Sequence, residues 1–303
     1  MDINKYFRNV ARRNRLLPLM LALLPGMAQA DATLDKIQSR GKVAIGVMIN
    51  GGDFGSIDPV TKQLTGWNPE LARRLAGDLG VEVELVPVQT ATRAQFLIAG
   101  KVDLLIASME LNAERAQSLG YAPTPFYRVG GTALTPRNSG IRRWEDLRGK
   151  NVCVSQGSSF TRPLAADYGA LPKGYKSSSD SLLALKGGQC VAAVHDSTLL
   201  QPLVRKGGEW ADYHAPIAAE ILPADSVVWA RKGEADTIAA VDRVVQTWHR
   251  SGWLIATEKR LGITPPQPAL QELHKKFSAV GSETNADAPR YRHDESLTKV
   301  QKL

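Results

Sequence analysis

Apolar positions along the chain follow two alternating rhythms. Runs such as Val43-Ala-Ile-Gly-Val47 and residues 102–107 are apolar almost throughout, while Val81, Val83 and Leu85 alternate with Glu82 and Glu84, as strands do. Leu71, Leu75, Ala76 and Leu79 recur at helical spacing, and the helix they predict begins at Asn68. There Asn68 caps, Pro69 suits the first helical position, and Glu70 faces the positive end of the helix dipole. A further helix over 93–99 leads to the strand at 102–107. Strands alternating with helices predict a parallel sheet covered on both faces.

The same order restarts after Pro136, with strands at Asn151-Val-Cys-Val154 and Cys190-Val-Ala-Ala-Val194, and helices after Gly157, over 180–186 and from Asp196. A faint internal echo supports two similar lobes: Gly41-Lys-Val-Ala-Ile-Gly46 resembles Gly149-Lys-Asn-Val-Cys-Val154. A strand at Val227-Val-Trp-Ala230 then leads into a helix over 234–249, in which Ile238, Val241, Val245 and Trp248 keep helical spacing. Pro265-Pro266-Gln267-Pro268 breaks the pattern; a short helix over 270–277 follows, and the polar stretch from Gly281 reads as disordered.

The N-terminus changes where the protein is expected to work. Lys5, Arg8, Arg12, Arg13 and Arg15 precede an apolar run over 16–24, and Ala28-Gln29-Ala30 precedes Asp31, the layout of a signal peptide cleaved after Ala30. That segment carries +4 of the formal +8, which removes most of the support for nucleic-acid binding. The apolar run is about half the ~18 residues a membrane span needs. Export to the periplasm also permits disulfides, so Cys153 and Cys190 are either a bridge between neighbouring strands or two buried thiols.

In open parallel sheets, ligands bind beyond the carboxyl ends of the strands. Three such places carry chemistry. Ser108 to Arg115 follows the strand at 102–107, with Asn112 as cap. Gln156-Gly157-Ser158-Ser159 offers backbone N–H groups and hydroxyls to a carboxylate, and His195-Asp196 offers an anion to an ammonium. Together these match the two charged ends of an α-amino acid. Taken singly, Arg115 is equally a solvated helix residue, Ser158 and Asp196 plain caps, and His195 a local hydrogen-bonding group. The five histidines are scattered without ligand spacing, and neither metal nor cofactor is expected.

Ordered motifs from about Gly41 to Gly262 resemble the extracytoplasmic solute-binding proteins, family 3, that capture polar amino acids for ABC importers. They include Thr65-Gly-Trp-Asn-Pro-Glu-Leu-Ala72, Ala99-Gly-Lys-Val-Asp103, Ala113-Glu-Arg-Ala116, Pro125-Phe-Tyr127, Asp146-Leu-Arg-Gly-Lys150, Val154-Ser-Gln-Gly-Ser158 and Val194-His-Asp196. The resemblance implies an α/β fold of two Rossmann-like lobes with a hinge of crossover strands, the periplasmic binding protein type II architecture. Lobe one would span 35–133 plus 227–264 and lobe two 134–226, with 265–303 a partly disordered extension. On this resemblance Arg115 grips the ligand α-carboxylate with help from Ser158 and Gly157, and Asp196 receives the α-amino group. Ser108 contacts the ligand, Phe54 supplies an aromatic wall, and Arg93 meets the side chain of an acidic amino acid or its amide. The resemblance also favours the Cys153–Cys190 bridge.

Glu110 departs from the pattern, standing where the family usually has Thr or Ser. It either neutralises Arg115 or receives a second ligand cation. The expected function is capture of a small amino acid by a monomer and its delivery to an inner-membrane ABC permease. The alternatives are an exported enzyme of the cyclohexadienyl dehydratase type, with Glu110 as general acid, and a binding protein serving a redox or sensory system.

Overall fold

The computed structural model describes residues 31–280. The expected signal peptide and cleavage after Ala30, and the polar stretch from Gly281, lie outside the described residues. In chain order the elements are α1 (Ala32–Arg40), β1 (Lys42–Met48), the small hairpin β2 (Ser56–Ile57) and β3 (Leu64–Thr65), α2 (Trp67–Asp78), β4 (Glu82–Val88), α3 (Arg93–Ile98), β5 (Leu104–Ile106), α4 (Ala113–Ser118), β6 (Leu119–Tyr121) and β7 (Tyr127–Pro136). They continue with β8 (Asn151–Ser155), α5 (Thr161–Ala166), β9 (Leu171–Tyr175), α6 (Ser178–Lys186), β10 (Ala192–Asp196), α7 (Ser197–Lys206), β11 (Tyr213–His214) and β12 (Ile221–Ser226). The last are β13 (Trp229–Arg231), α8 (Ala235–Arg250), α9 (Trp253–Arg260) and α10 (Pro268–Val280).

Two main sheets organise these strands. The first has the order β4-β1-β5-β13-β6, and the second β11-β7-β10-β8-β9 with β12 also paired to β7. The central strands are parallel, β1 to β4 and β5, and β8 to β9 and β10. The expectation of wholly parallel sheets needs correcting, because β13 runs antiparallel to β5 and β6, and β7 antiparallel to β10 and β12. These strands carry the chain between the sheets. They are not joined by a βαβ crossover, the connection that makes neighbouring strands parallel.

Alternation along each strand fills a core on both faces. Val43, Ile45 and Val47 of β1 pack with Leu71 and Leu75 of α2 and Val241, Val245 and Trp248 of α8. Met48, Leu97, Leu105 and Trp229 fill the opposite face. In the second sheet Val152 and Val154 join Phe160 and Leu164, whereas Cys153 joins Leu182, Leu185 and Leu200. One strand serves both sheets: β7 sends Tyr127 and Val129 into the first core and Ala133 into a core of the second.

Local chemistry moves several boundaries. Gly66, not Asn68, caps α2; its φ is 108°, and a Cβ there would lie 2.8 Å from the Asp53 carbonyl, so the close approach requires glycine. Asn68 falls in the first turn, fully buried. Strand β10 starts at Ala192, two residues later than the pattern suggests, and ends on Asp196. The helix expected over 270–277 extends over Pro268–Val280, with Leu270 buried in the first core.

Cys153 and Cys190 form a disulfide with Cα atoms 5.7 Å apart, tying β8 to the entry of β10. Closing a loop with a sequence separation of 37 restricts the unfolded chain. Replacing both residues (Cys153→Ser with Cys190→Ser) is expected to lower the unfolding free energy by about 4 kcal/mol. Equilibrium urea denaturation of the variant against the oxidised parent checks this.

Candidate ligand-binding site

Loops at the carboxyl ends of β5, β8 and β10 meet around one small cavity of about 40 Å³. Phe54, Arg93, Ser108, Glu110, Ser158, His195 and Asp196 all line it; Arg115 and Gly157 lie outside its lining. The sequence-derived candidates therefore converge, with the residue assigned to the ligand carboxylate set behind another side chain.

That side chain is Glu110. It is 4% exposed and follows β5, where its backbone forms an isolated antiparallel bridge with Ser226 at the end of β12. Its Oε2 accepts from Arg115 Nη1 at 2.6 Å and from Ser159 Oγ at 3.1 Å, and Arg93 Nη2 lies 3.9 Å away. Arg115 Nη1 also donates to the Glu110 carbonyl at 2.8 Å, and Nη2 to the Gly157 carbonyl at 3.4 Å. Asn112 positions this arginine by capping α4, accepting from the Arg115 backbone N–H at 2.9 Å.

Arg93 is equally committed. Its Nη1 donates to the carbonyls of Ala107 at 2.6 Å and Ser108 at 3.0 Å. Burial lowers the Arg93 pKa to about 10, partly offset by the Glu110 charge, so the guanidinium remains a cation at neutral pH. For Glu110, burial pushes the carboxyl pKa up, but the charges of Arg93 and Arg115 outweigh it and hold the group below its ordinary value. Glu110 is thus an ionised carboxylate. The two guanidiniums beside it oppose a general-acid role, which needs a proton to give.

Asp196 is different. It ends β10 and stands at the N-terminus of α7, but its side chain makes no capping bond. Among the described residues it has no side-chain hydrogen-bond partner. Burial, followed by the nearby Glu110 charge, raises its pKa to about 8, against the pull of Arg93 and Arg115. His195, 5% exposed, shares a hydrogen bond of 2.8 Å between Nε2 and Ser181 Oγ. Burial lowers its pKa to about 4, which leaves a neutral ring on the cavity wall. Phe54 sits in a short 3-10 turn and packs edge-on against Tyr127 with ring centroids 4.9 Å apart. Ser158 Oγ accepts from the Phe160 N–H at 3.2 Å, and Gly157 takes a φ of 74° that turns the chain beneath it.

Sequence reasoning missed several participants. Asn68 donates to Ser108 Oγ at 2.9 Å and steadies a residue with φ of 48°; a polar residue on the buried stripe of α2 was the available signal. Ser178 Oγ donates to the Asn50 carbonyl at 2.6 Å, a further contact between the two halves beside Ser159–Glu110 and Arg115–Gly157. Ser155 lines the cavity with a buried Oγ that has no hydrogen-bond partner among the described residues.

The chain matches the family model described as bacterial extracellular solute-binding proteins, family 3, over residues 43–261. It is 27% identical over 256 residues to the L-cystine-binding protein TcyJ of Escherichia coli, covering 82% of this chain and 94% of that one. It is 25% identical over 287 residues to the L-glutamate/L-aspartate-binding protein of Pseudomonas aeruginosa, covering 86% and 93%. Among solved structures, the cysteine-binding protein of Campylobacter jejuni superposes with a TM-score of 0.70 at 25% identity, covering 76% of this chain and 92% of that one. The fold is therefore the two-lobed α/β architecture of periplasmic binding proteins, type II. These relatives are named as binding proteins, not as enzymes.

The buried charge cluster is also a stability element. Arg93→Met leaves the Ala107 and Ser108 carbonyls without their donor and Glu110 with one cation fewer, and is expected to cost about 3–5 kcal/mol of unfolding free energy. Chemical denaturation at neutral pH measures the difference.

Proposed function

The chain belongs to the bacterial extracellular solute-binding proteins, family 3, and we propose that it captures a small amino acid or amino-acid derivative by its ammonium group and delivers it to an ABC importer. On this reading the protein works outside the cytoplasmic membrane, as a monomer, with the two sheets as lobes and β7 and β12 as the hinge between them. The observation that carries it is Asp196, a carboxyl group on the cavity wall with no hydrogen-bond partner among the described residues and a pKa raised to about 8. A group of this kind is completed by a cation from outside. The binding of amino acids by the named relatives supports the solute class.

The lobes have the contacts that closure over a solute needs. Ser159 reaches Glu110, Gly157 reaches Arg115, and Ser178 reaches Asn50. A solute touching Asp196 on one side and the Ser108 region on the other adds to these contacts in the closed form only, and so favours closure.

The expected test follows from the titration of Asp196. In the empty site the carboxyl is largely protonated at pH 7; an ammonium favours the ionised form, so binding releases a proton. Affinity is therefore expected to rise as pH goes from 6 to 8, by up to tenfold per unit, and to level off above about 8. Asp196→Asn is expected to weaken binding at pH 8 by about 2 kcal/mol or more and to abolish the proton release. Isothermal titration calorimetry in buffers of different ionisation enthalpy, over a panel of amino acids and their amides and amines, reads both. A pH-independent affinity that survives Asp196→Asn would overturn the reading.

A further inference from the structure

We propose that the solute is a primary amine without a free α-carboxylate, carrying instead a neutral hydrogen-bonding group, because Glu110 already occupies the carboxylate receptor of the cleft. This rests on the reading of Asp196 as the ammonium receptor. Donors that would grip an incoming carboxylate are engaged within the chain. Arg115 gives Nη1 to Glu110 Oε2 at 2.6 Å and to the Glu110 carbonyl at 2.8 Å, and its Nη2 to the Gly157 carbonyl at 3.4 Å. Arg93 gives Nη1 to two carbonyls, and its Nη2 lies 3.9 Å from the same Oε2. Ser159, from the other sheet, completes the set on that oxygen at 3.1 Å.

Position agrees with bonding. Glu110 lines the cavity and Arg115 does not, so a solute meets the carboxylate before it meets the guanidinium behind it. A solute carboxylate would have to lie against Glu110, like charge on like charge in a nearly dry site, or expel a side chain that is 4% exposed and held by a backbone bridge to Ser226. Beside Asp196, and beside Arg93 and Glu110 whose charges face each other, the cavity wall offers neutral groups. Ser155 Oγ is buried, lines the cavity and has no hydrogen-bond partner among the described residues, and His195 is an uncharged ring at neutral pH. An amide or hydroxyl satisfies such groups; a second anion does not.

Matched pairs of probes test this on the full chain expressed for export: L-alanine with L-alaninamide, L-serine with ethanolamine, and L-glutamine with 4-aminobutanamide. By calorimetry at pH 8, the carboxylate-free member of at least one pair is expected to bind tenfold or more tightly than its partner. In Glu110→Thr, which frees Arg115, that preference is expected to reverse. Should Glu110→Thr fail a circular-dichroism check of folding, Glu110→Gln takes its place, and the wild-type preference decides by itself. Equal or tighter binding of the free amino acids by the wild type, or an order unchanged in the Glu110 variant, overturns the inference. If those amino acids bind and Asp196→Asn removes the binding, the ammonium reading stands and only the inference falls. If no member of any pair binds, or Asp196→Asn changes nothing, both fall.

Discussion

A single buried carboxylate, that of Glu110, sets the character of the cleft. Two guanidiniums and a serine hydroxyl converge on it, and none of the cations would be tolerable at this depth without an anion between them. The arrangement holds Arg93 against the end of β5, keeps Arg115 folded back on its own loop, and draws Ser159 of the second sheet toward the first. Geometry that in an open polar site would bind a solute anion is here closed upon the chain itself.

The same junction is coupled to the connection between the sheets. Glu110 bridges Ser226, the last residue of β12, and Leu111 N–H donates to the Asp225 carbonyl at 2.7 Å. The other connecting strand, β7, is anchored where it begins: Tyr127 donates its hydroxyl to Glu258 at 2.8 Å and packs against both Phe54 and Trp67. Gln267 N–H donates to the same carboxylate at 2.9 Å, so the segment before α10 is fastened to the start of β7 as well. Both strands are therefore attached to the first sheet at one end while they pair within the second sheet along their length.

Electrostatically, the cavity wall carries two carboxyl groups in opposite states. Glu110 is kept ionised by its guanidiniums, and Asp196 is driven toward its neutral form by burial and by the Glu110 charge. Two carboxyl groups pushed apart in this way have different uses: one organises the protein, and the other, on the proposed reading, receives the ammonium of the solute. His195, neutral and tied to Ser181, contributes shape and a polar edge rather than charge.

How much of this the chain alone reveals depends on the range of the forces involved. Strands β1, β4, β8 and the helices α2 and α8 were legible because burial imposes its period directly on the sequence, and the capping of α4 by Asn112 is a contact over three residues. Strand β9, Leu-Pro-Lys-Gly-Tyr, and β12, Ile-Leu-Pro-Ala-Asp-Ser, were not: each carries a proline and is mostly exposed or half-buried, and each is a strand only because a neighbour pairs with it. The antiparallel entry of β7 and β13 belongs to the path between two sheets, which no local pattern encodes. At the site, the residue types and the strand ends that bear them were evident from the sequence. Which donor faces which acceptor was decided by the tertiary structure, since Arg93 and Arg115 come from two helices and Glu110 and Ser159 from two loops, and charge at short range answers to distance in space rather than to distance along the chain.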